Sequence, residues 1–478
     1  MTMTSPEAVG GATEPRRLHP LALAAALCAV AVPVISFVSV TVALGEIGAE
    51  LHASPGVLQL VVAAYGVVYA SLVVIGGRLG DSHGRRRMLS IGLVLFAVTG
   101  LLCAVAQSSE VLVGARLLQG ATAALVAPQV LASIHANTDG HHRVRAMALF
   151  GATAGVAFSV AFLAGGVLTD SSLGWRSLFW VTSALVAVVI VVVVRYLPES
   201  KAPAPSRLDI GGAALLGILM TLLVLPLTEG RALGWPAWTW ICLAGTPVAA
   251  AAFVWWQARL ERRASIPLVP LSLFRFRSVS AGLGTGLPMY VAFSGFTFIF
   301  SITAATRGLS AVQIGASMLP LGLAFLATSV VSGRLTPRFG TGVLTSGAVL
   351  GAAGFALVSR AIAALEPASR FSPATVAVGM VVIGAGFGLL WSPLMGIALS
   401  QVPSHLAGLG GGLLITVMQV GLALGSALVG ALYLSWDGDF ARTGYVLAVA
   451  MLAVGGLTLT LPRRTAGMSR LRRRGASS

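Results

Sequence analysis

Carboxylates are what this chain has least of. Its 478 residues include 15 Asp and Glu, and none falls near the middle of an apolar run. All charged residues together make up 10% of the chain, against roughly 25% in a soluble domain, so an ordinary water-soluble globule is excluded. The three cysteines, Cys28, Cys103 and Cys242, lie inside apolar runs and imply no disulfide framework. The seven histidines are dispersed, and the His141–His142 pair has no acid at metal-ligand spacing. No metal site is visible, nor the clustered His, acid, Ser or Cys constellation that a membrane enzyme needs. The phosphate-cradling pattern G-x-x-x-x-G-K-[ST] is missing too, which argues against direct ATP use. Catalytic residues, metals and cofactors are accordingly not expected.

What the chain does have is apolar length. Hydrophobic residues make up 56% and the mean hydropathy is +0.91. Fourteen runs reach the roughly 20 residues that cross a bilayer as helix, including one over 111–134 and a pair within 210–258 interrupted by Pro226, Pro236 and Pro247. The expected fold class is an all-α polytopic membrane protein with fourteen transmembrane helices. The net charge of +16 suggests nucleic acid until the charges are placed. Of 31 basic residues, Arg116 lies inside a span. Arg176, Arg231, Arg307, Arg360, Arg370 and Arg442 lie on one side, leaving 24 on the other with both tails. The positive-inside rule then puts both termini in the cytoplasm of a multi-pass protein of a cell membrane, the bacterial plasma membrane. The charge reports topology, and the partner is a lipid bilayer rather than nucleic acid.

The turn between spans two and three reads Gly76-Gly-Arg-Leu-Gly-Asp-Ser-His-Gly-Arg-Arg-Arg87, and part of it returns as Gly333-Arg-Leu-Thr-Pro-Arg-Phe-Gly340. Such an echo between two hydrophobic halves marks a duplication. It divides the chain into a disordered tail (1–17), an N-terminal six-helix bundle (18–197) and a proline-rich cytoplasmic linker (198–209). An inserted helix pair (210–258), an amphipathic cytoplasmic segment (259–278), a C-terminal six-helix bundle (279–462) and a basic tail (463–478) follow. In the amphipathic segment aliphatic residues are expected at the membrane interface, with Arg275 and Arg277 facing water.

Span two points Asp81 at the negative end of its own helix dipole, the wrong end for an anion. Asp81 is therefore expected to seek an arginine or another helix's N-terminus. Span four carries Arg116-Leu-Leu-Gln119-Gly120, which puts Arg116 and Gln119 on one helical face. A charge inside a span costs about 2.5–3.5 kcal/mol or more on insertion scales, so Arg116 should find partners. These two motifs, G-x-L-x-D-x-x-G-R-[RK]-x and R-x-x-Q-G, resemble those of the major facilitator superfamily, in its fourteen-span drug:proton antiporter branch. The resemblance runs from about residue 21 to 461.

It implies a major facilitator fold of two six-helix bundles plus the inserted pair. It also implies a cytoplasmic gate built on Gly77, Asp81, Gly84 and Arg85, with Asp139 extending the charge relay. Arg116 and Gln119 would serve proton coupling or substrate; the alternative for Arg116 is a cap on carbonyls of span one. For Arg86 and Arg87 topology alone suffices. The sequence also departs from the pattern. Ser36 stands where many relatives carry an Asp, and Ala161-Phe162 replace the Gly-Pro that precedes the pair Gly165-Gly166.

A cavity holding Arg116 and no carboxylate would be net positive, favouring neutral, zwitterionic or anionic cargo. The cavity is assigned to Ser36, Tyr65, Phe162, Tyr290, Phe293, Trp391 and Gln419. For the span-nine aromatics, lipid-facing packing is the competing reading. Proton coupling would have to run through Glu46, His135, Asp81 or Arg116, Glu46 being otherwise a loop acid. The leading function is export of a small organic compound, drug or antibiotic, by alternating access coupled to protons. The alternatives are facilitated or differently coupled export of one neutral or anionic metabolite, a non-transporting membrane sensor, and a membrane enzyme.

Overall fold

The computed structural model describes residues 18–201, 208–231, 233–263, 265, 267–366, 369–403 and 406–462. Both tails and residues 202–207 of the linker lie outside the described residues, so the expectations placed on them are not addressed. Fifteen α-helices are described: α1 (Pro20–Glu50), α2 (Pro55–His83), α3 (Arg85–Ala104), α4 (Ser109–Ala123), α5 (Ala127–Asn137), α6 (Gly140–Thr169), α7 (Arg176–Tyr196) and α8 (Ile210–Glu229). They continue as α9 (Ala237–Arg262), α10 (Arg277–Thr306), α11 (Ala311–Phe339), α12 (Gly342–Ala363), α13 (Pro373–Ala398), α14 (Ala407–Ser435) and α15 (Phe440–Thr458). They supply 14 apolar segments long enough to cross a membrane. The fourteen-span expectation therefore holds.

One of the fourteen is not a continuous helix. The run expected over 111–134 breaks at residues 124–126 between α4 and α5. Pro128 explains the break, because it has no N–H to give the carbonyl of Ala124 four residues back. That carbonyl turns against Gly76 of α2, where even a Cβ would collide with it. Elsewhere helix starts are capped by short polar side chains. Ser54, Ser108, Asp209 and Asp439 each accept from a backbone N–H of the first turn, and Ser310 with Gln313 forms a reciprocal capping box over α11. These bonds satisfy donors that would otherwise be orphaned where span meets interface.

Small residues decide how closely the helices approach. Gly76 and Gly120 bring α2 against the backbone of α4, Gly120 lying on the carbonyl of Tyr65. Two of the seams between the bundles run along α2 against α14 and α6 against α11. In the first, Gly66 of α2 lies against Ala423 of α14, a Cβ there standing 3.0 Å from the Ala423 methyl. In the second, Gly155 and Gly166 of α6 face Leu326 and Ala311 of α11, while Gly315 and Gly322 of α11 face Phe162 and Ser159. Where a membrane helix meets lipid instead, it stays greasy. On α9, Trp240, Ile241 and Val248 are 60%, 71% and 69% exposed. Trp235 and Trp240 at one end of this helix and Trp255 and Trp256 at the other form the aromatic pair expected at two interfaces.

The inserted pair is fastened to the first bundle on the basic face. The Asp209 carboxylate is 4% exposed and accepts from Gly212 N at 2.7 Å, Leu268 N at 2.8 Å, Trp256 Nε1 at 2.9 Å and Gln257 Nε2 at 3.1 Å. Arg78 of α2 donates to the carbonyl of Pro267 at 2.6 Å. In the amphipathic segment Arg275 and Arg277 are exposed as expected, but Leu268, Val269 and Leu273 are buried in protein. The bonds from Asp209 and Gln257 hold the backbone at 268–269 inward, which is why these aliphatic residues do not lie on the bilayer.

Candidate functional site

At the basic face, Gly84 separates α2 from α3 with φ +107°, a conformation that glycine alone adopts without strain. Gly340 at the end of α11 also has a positive φ, +57°, but with ψ −131° where Gly84 has ψ +130°. The turn brings Asp81 and Arg85 together, Arg85 Nη2 and Nε donating to one Asp81 oxygen at 2.9 and 3.2 Å. Arg85 Nη1 also reaches the Ala132 carbonyl on α5 at 3.2 Å. Asp81 stands at a helix C-terminus and Arg85 at an N-terminus, so each neutralises the other's unfavourable dipole.

Glu199, which sequence reasoning did not single out, accepts from Arg86 N at 3.0 Å and Arg87 N at 3.1 Å. It thereby caps α3 with an anion at its positive end. Asp81 pairs with Arg85, and Asp139 stands at the N-cap of α6. Of the glycines, a Cβ at Gly77 would make only an ordinary contact, 3.4 Å to Pro128, whereas one at Gly80 would run into the amide of Gln129.

Exposed ion pairs contribute about 0.2–1 kcal/mol to stability, and this one is 17% and 35% exposed. Asp81→Asn is therefore expected to leave thermal stability nearly unchanged while lowering transport three- to tenfold, or about that. The double exchange Asp81→Arg with Arg85→Asp should fail to restore transport, because only an arginine at 85 reaches Ala132. Full recovery in the exchanged protein would show that the turn needs the charge pair and nothing more.

Deeper in the first bundle, Arg116 is fully buried, with 0% exposure. Its Nε donates to the Val61 carbonyl of α2 at 3.1 Å and its Nη1 to Gln119 Oε1 at 2.6 Å. The guanidinium lies over the Tyr65 ring at 4.5 Å, and the Tyr65 hydroxyl donates to the Pro33 carbonyl at 3.3 Å. No carboxylate is paired with it among the described residues. Arg116 Nη2 and Gln119 Nε2 have no hydrogen-bond partner among the described residues. The i,i+3 pair expected from spacing is present, but the carbonyl Arg116 meets belongs to α2 and not to span one. Tyr65, expected to line the cavity, is 1% exposed and roofs this cation.

Of the other cavity residues, Phe162 is 0% exposed and its carbonyl lies against Gly315, inside the α6–α11 seam. Ser36 is buried, its hydroxyl without a hydrogen-bond partner among the described residues, and Gln419 is buried on α14. Tyr290, Phe293 and Trp391 do come together. Tyr290 and Trp391 lie 4.6 Å apart edge to face, and Phe293 lies 5.8 Å from Trp391 and 5.2 Å from Phe387. Phe325 of α11 closes on Trp391 at 5.9 Å.

One ring arrives from the first bundle. Phe158 of α6 lies 5.2 Å from Phe293, 5.2 Å from Phe325 and 5.8 Å from Trp391. Phe158, Phe325 and Phe387 were not foreseen; the only local signal was Phe158 one helical turn before Phe162.

On the opposite face Asp170, at the end of α6, accepts from Ala311 N at 3.1 Å and Val312 N at 3.4 Å. It caps the first turn of α11 across the bundle boundary. Nearby the Ser301 hydroxyl donates to the Thr41 carbonyl, tying α10 to α1. Glu46 is not a loop acid, since α1 continues to Glu50. Glu50 itself pairs with Arg176 and accepts from Trp175 Nε1 at 2.7 Å.

The profile of the Major Facilitator Superfamily matches residues 24–426. The probable actinorhodin transporter of Streptomyces coelicolor is 31% identical over 428 residues, covering 88% of this chain and 74% of that protein. The tetracenomycin C resistance and export protein of Streptomyces glaucescens is 31% identical over 432 residues, covering 86% and 76%. Among solved structures, a POT family transporter in complex with 5-aminolevulinic acid superposes with a TM-score of 0.68 at 13% identity, covering 92% of this chain and 96% of that one. The human organic anion transporter MFSD10 does so at 0.63 and 16%, covering 92% and 99%.

Proposed function

The chain belongs to the major facilitator superfamily, and from that membership we propose that it is an efflux transporter, a secondary carrier that exports a small organic compound by alternating access. Relatives matched over most of its length are named for antibiotic export or resistance, including the puromycin resistance protein of Streptomyces alboniger at 33% identity over 442 residues. Those names make transport, rather than catalysis on the same scaffold, the activity to test. The observation that carries the reading is the junction of the bundles, where Phe158 of one enters a ring of aromatics on the other. A carrier needs its two halves to touch along a surface that can be remade, and rings meeting edge-on without a polar lock suit that need.

The basic face is assigned to the cytoplasm, with both termini there, in a bacterial plasma membrane. The turn at Asp81 and Arg85, whose bonds join α2, α3 and α5 of the first bundle, is then assigned to the cytoplasmic gate, and Asp170 at the end of α6, which caps α11 across the bundle boundary, to its outer counterpart. Coupling is assigned to protons through Arg116 and Gln119. A cation without a counter-ion in a span costs several kcal/mol, a cost that packing alone does not require. With no carboxylate in mid-span, neutral, zwitterionic or anionic cargo is favoured.

Expression in an efflux-deficient host, challenged with cationic, neutral and anionic compounds, should raise tolerance to at least one of the latter two classes. The compound so found, given to the purified protein in liposomes, should then drive proton movement opposite to its own. Export without proton movement would overturn the antiport assignment and leave facilitated export. No change in tolerance to any class would turn the reading toward self-protection against a single cognate metabolite.

A further inference from the structure

The aromatic junction has an asymmetry that bears on cargo. Five of its rings, Tyr290, Phe293, Phe325, Phe387 and Trp391, come from α10, α11 and α13, and they touch one another without help from the first bundle. The sixth, Phe158, comes from α6 and sits against three of them at 5.2–5.8 Å. The second bundle thus holds a ready-made aromatic cup, and the first bundle supplies a single ring that fills it. Phe158 is near the middle of α6, and Phe293 and Phe325 are near the middle of their helices, which sets the cup near mid-membrane. Two of its rings carry donors, the Tyr290 hydroxyl and Trp391 Nε1, and no charged side chain belongs to the cluster.

We infer that the cup is the cargo site and that its chemistry selects a flat, fused aromatic ring system, which takes the place of Phe158 when the bundles part. This rests on the export reading and specifies its substrate class. Ring pairs favour edge-to-face and offset geometries because the quadrupoles attract. A flat aromatic cargo can therefore replace every contact Phe158 gives up, whereas a saturated compound of equal size cannot. The hydroxyl of Tyr290 and the indole N–H of Trp391 then meet acceptors on the cargo rim, as keto or carboxylate groups would provide. Phe158 competes with cargo and Trp391 holds it, so the two residues act in opposite directions.

Equilibrium dialysis on the full-length protein in detergent, with an anthraquinone carboxylate and a fully saturated tricyclic carboxylate as probes, tests this. The wild-type protein should bind the flat probe at least about fivefold more tightly than the saturated one. Phe158→Ala should tighten the flat probe, and Trp391→Leu should weaken it by a similar factor. Should Trp391→Leu fail to fold, Tyr290→Leu serves in its place, with the same direction expected. A merely structural cluster would move both variants the same way, and that result would overturn the proposal, as would equal binding of the two probes. Export of any compound by a protein that shows no preference for the flat probe would sink the cup and leave the transporter standing. Preferential binding of the flat probe without export of any compound would do the reverse.

Discussion

Arg116→Met is expected to reduce transport by about a hundredfold or more while leaving thermal stability unchanged or slightly raised. The reason lies in what surrounds the guanidinium. Arg116 is fully buried, bonded to one carbonyl and one amide oxygen, and paired with no carboxylate among the described residues. One of its nitrogens has no hydrogen-bond partner among the described residues. Removing one member of a buried ion pair normally costs about 3–5 kcal/mol, because it strands the other charge. Here no opposite charge would be stranded. Methionine fills a similar volume with flexible apolar atoms, and the Val61 carbonyl remains within a continuous helix. Arg116→Lys should not rescue, since an ammonium lacks the planar fork that meets Gln119 and lies on Tyr65 together. Melting of the purified protein, set beside export by the same preparation, separates the outcomes. A collapse of stability in Arg116→Met would make the arginine a structural element, and retained export would remove it from the mechanism.

Gly120→Val should leave little folded protein, and Gly120→Ala should fold with a loss of about 1–3 kcal/mol. A Cβ at this position would meet the Tyr65 backbone, with its carbonyl carbon at 3.0 Å and its Cα at 3.1 Å. Backbone cannot swing aside as a side chain does, so α4 and α2 must separate. Separation draws the Tyr65 ring off Arg116, four residues from Gly120 and one helical turn away. The alanine variant should therefore lose more export than its stability alone accounts for. Gly114 on the same helix has nothing within 4 Å of a Cβ, so Gly114→Ala is the control. It should be neutral or stabilising by about 0.5–1 kcal/mol through backbone entropy. Size-exclusion recovery and melting temperature of the three variants read this directly, and equal behaviour of Gly114→Ala and Gly120→Ala would refute the close-contact argument.

The asymmetry between these two glycines was invisible in the linear chain, where both look like small residues on one span. The same holds for the gate turn. Its arginine-glycine spelling pointed to Gly77, which has ordinary space against Pro128 of α5, while the closest approaches to other segments are at Gly76 and Gly80. Glu199 became part of the turn only because the chain after α7 folds back across more than a hundred positions to cap α3. Phe158 likewise had no meaning until α6 was set against α10, α11 and α13.

By itself the sequence determined what depends on short-range chemistry and on the solvent. Span lengths follow from bilayer thickness, helix starts from Ser and Asp caps, the turn at Gly84 from its backbone freedom, and the Arg116–Gln119 bond from helical spacing. Tertiary structure alone decided which carbonyl Arg116 meets, that Tyr65 roofs it, that Asp170 caps α11, and that one phenylalanine fills a cup made by three other helices. Those choices rest on which helix faces pack together, set by glycine contacts summed over the whole molecule. A difference of one methyl group at such a contact can reverse them, and no periodicity within a single span records it.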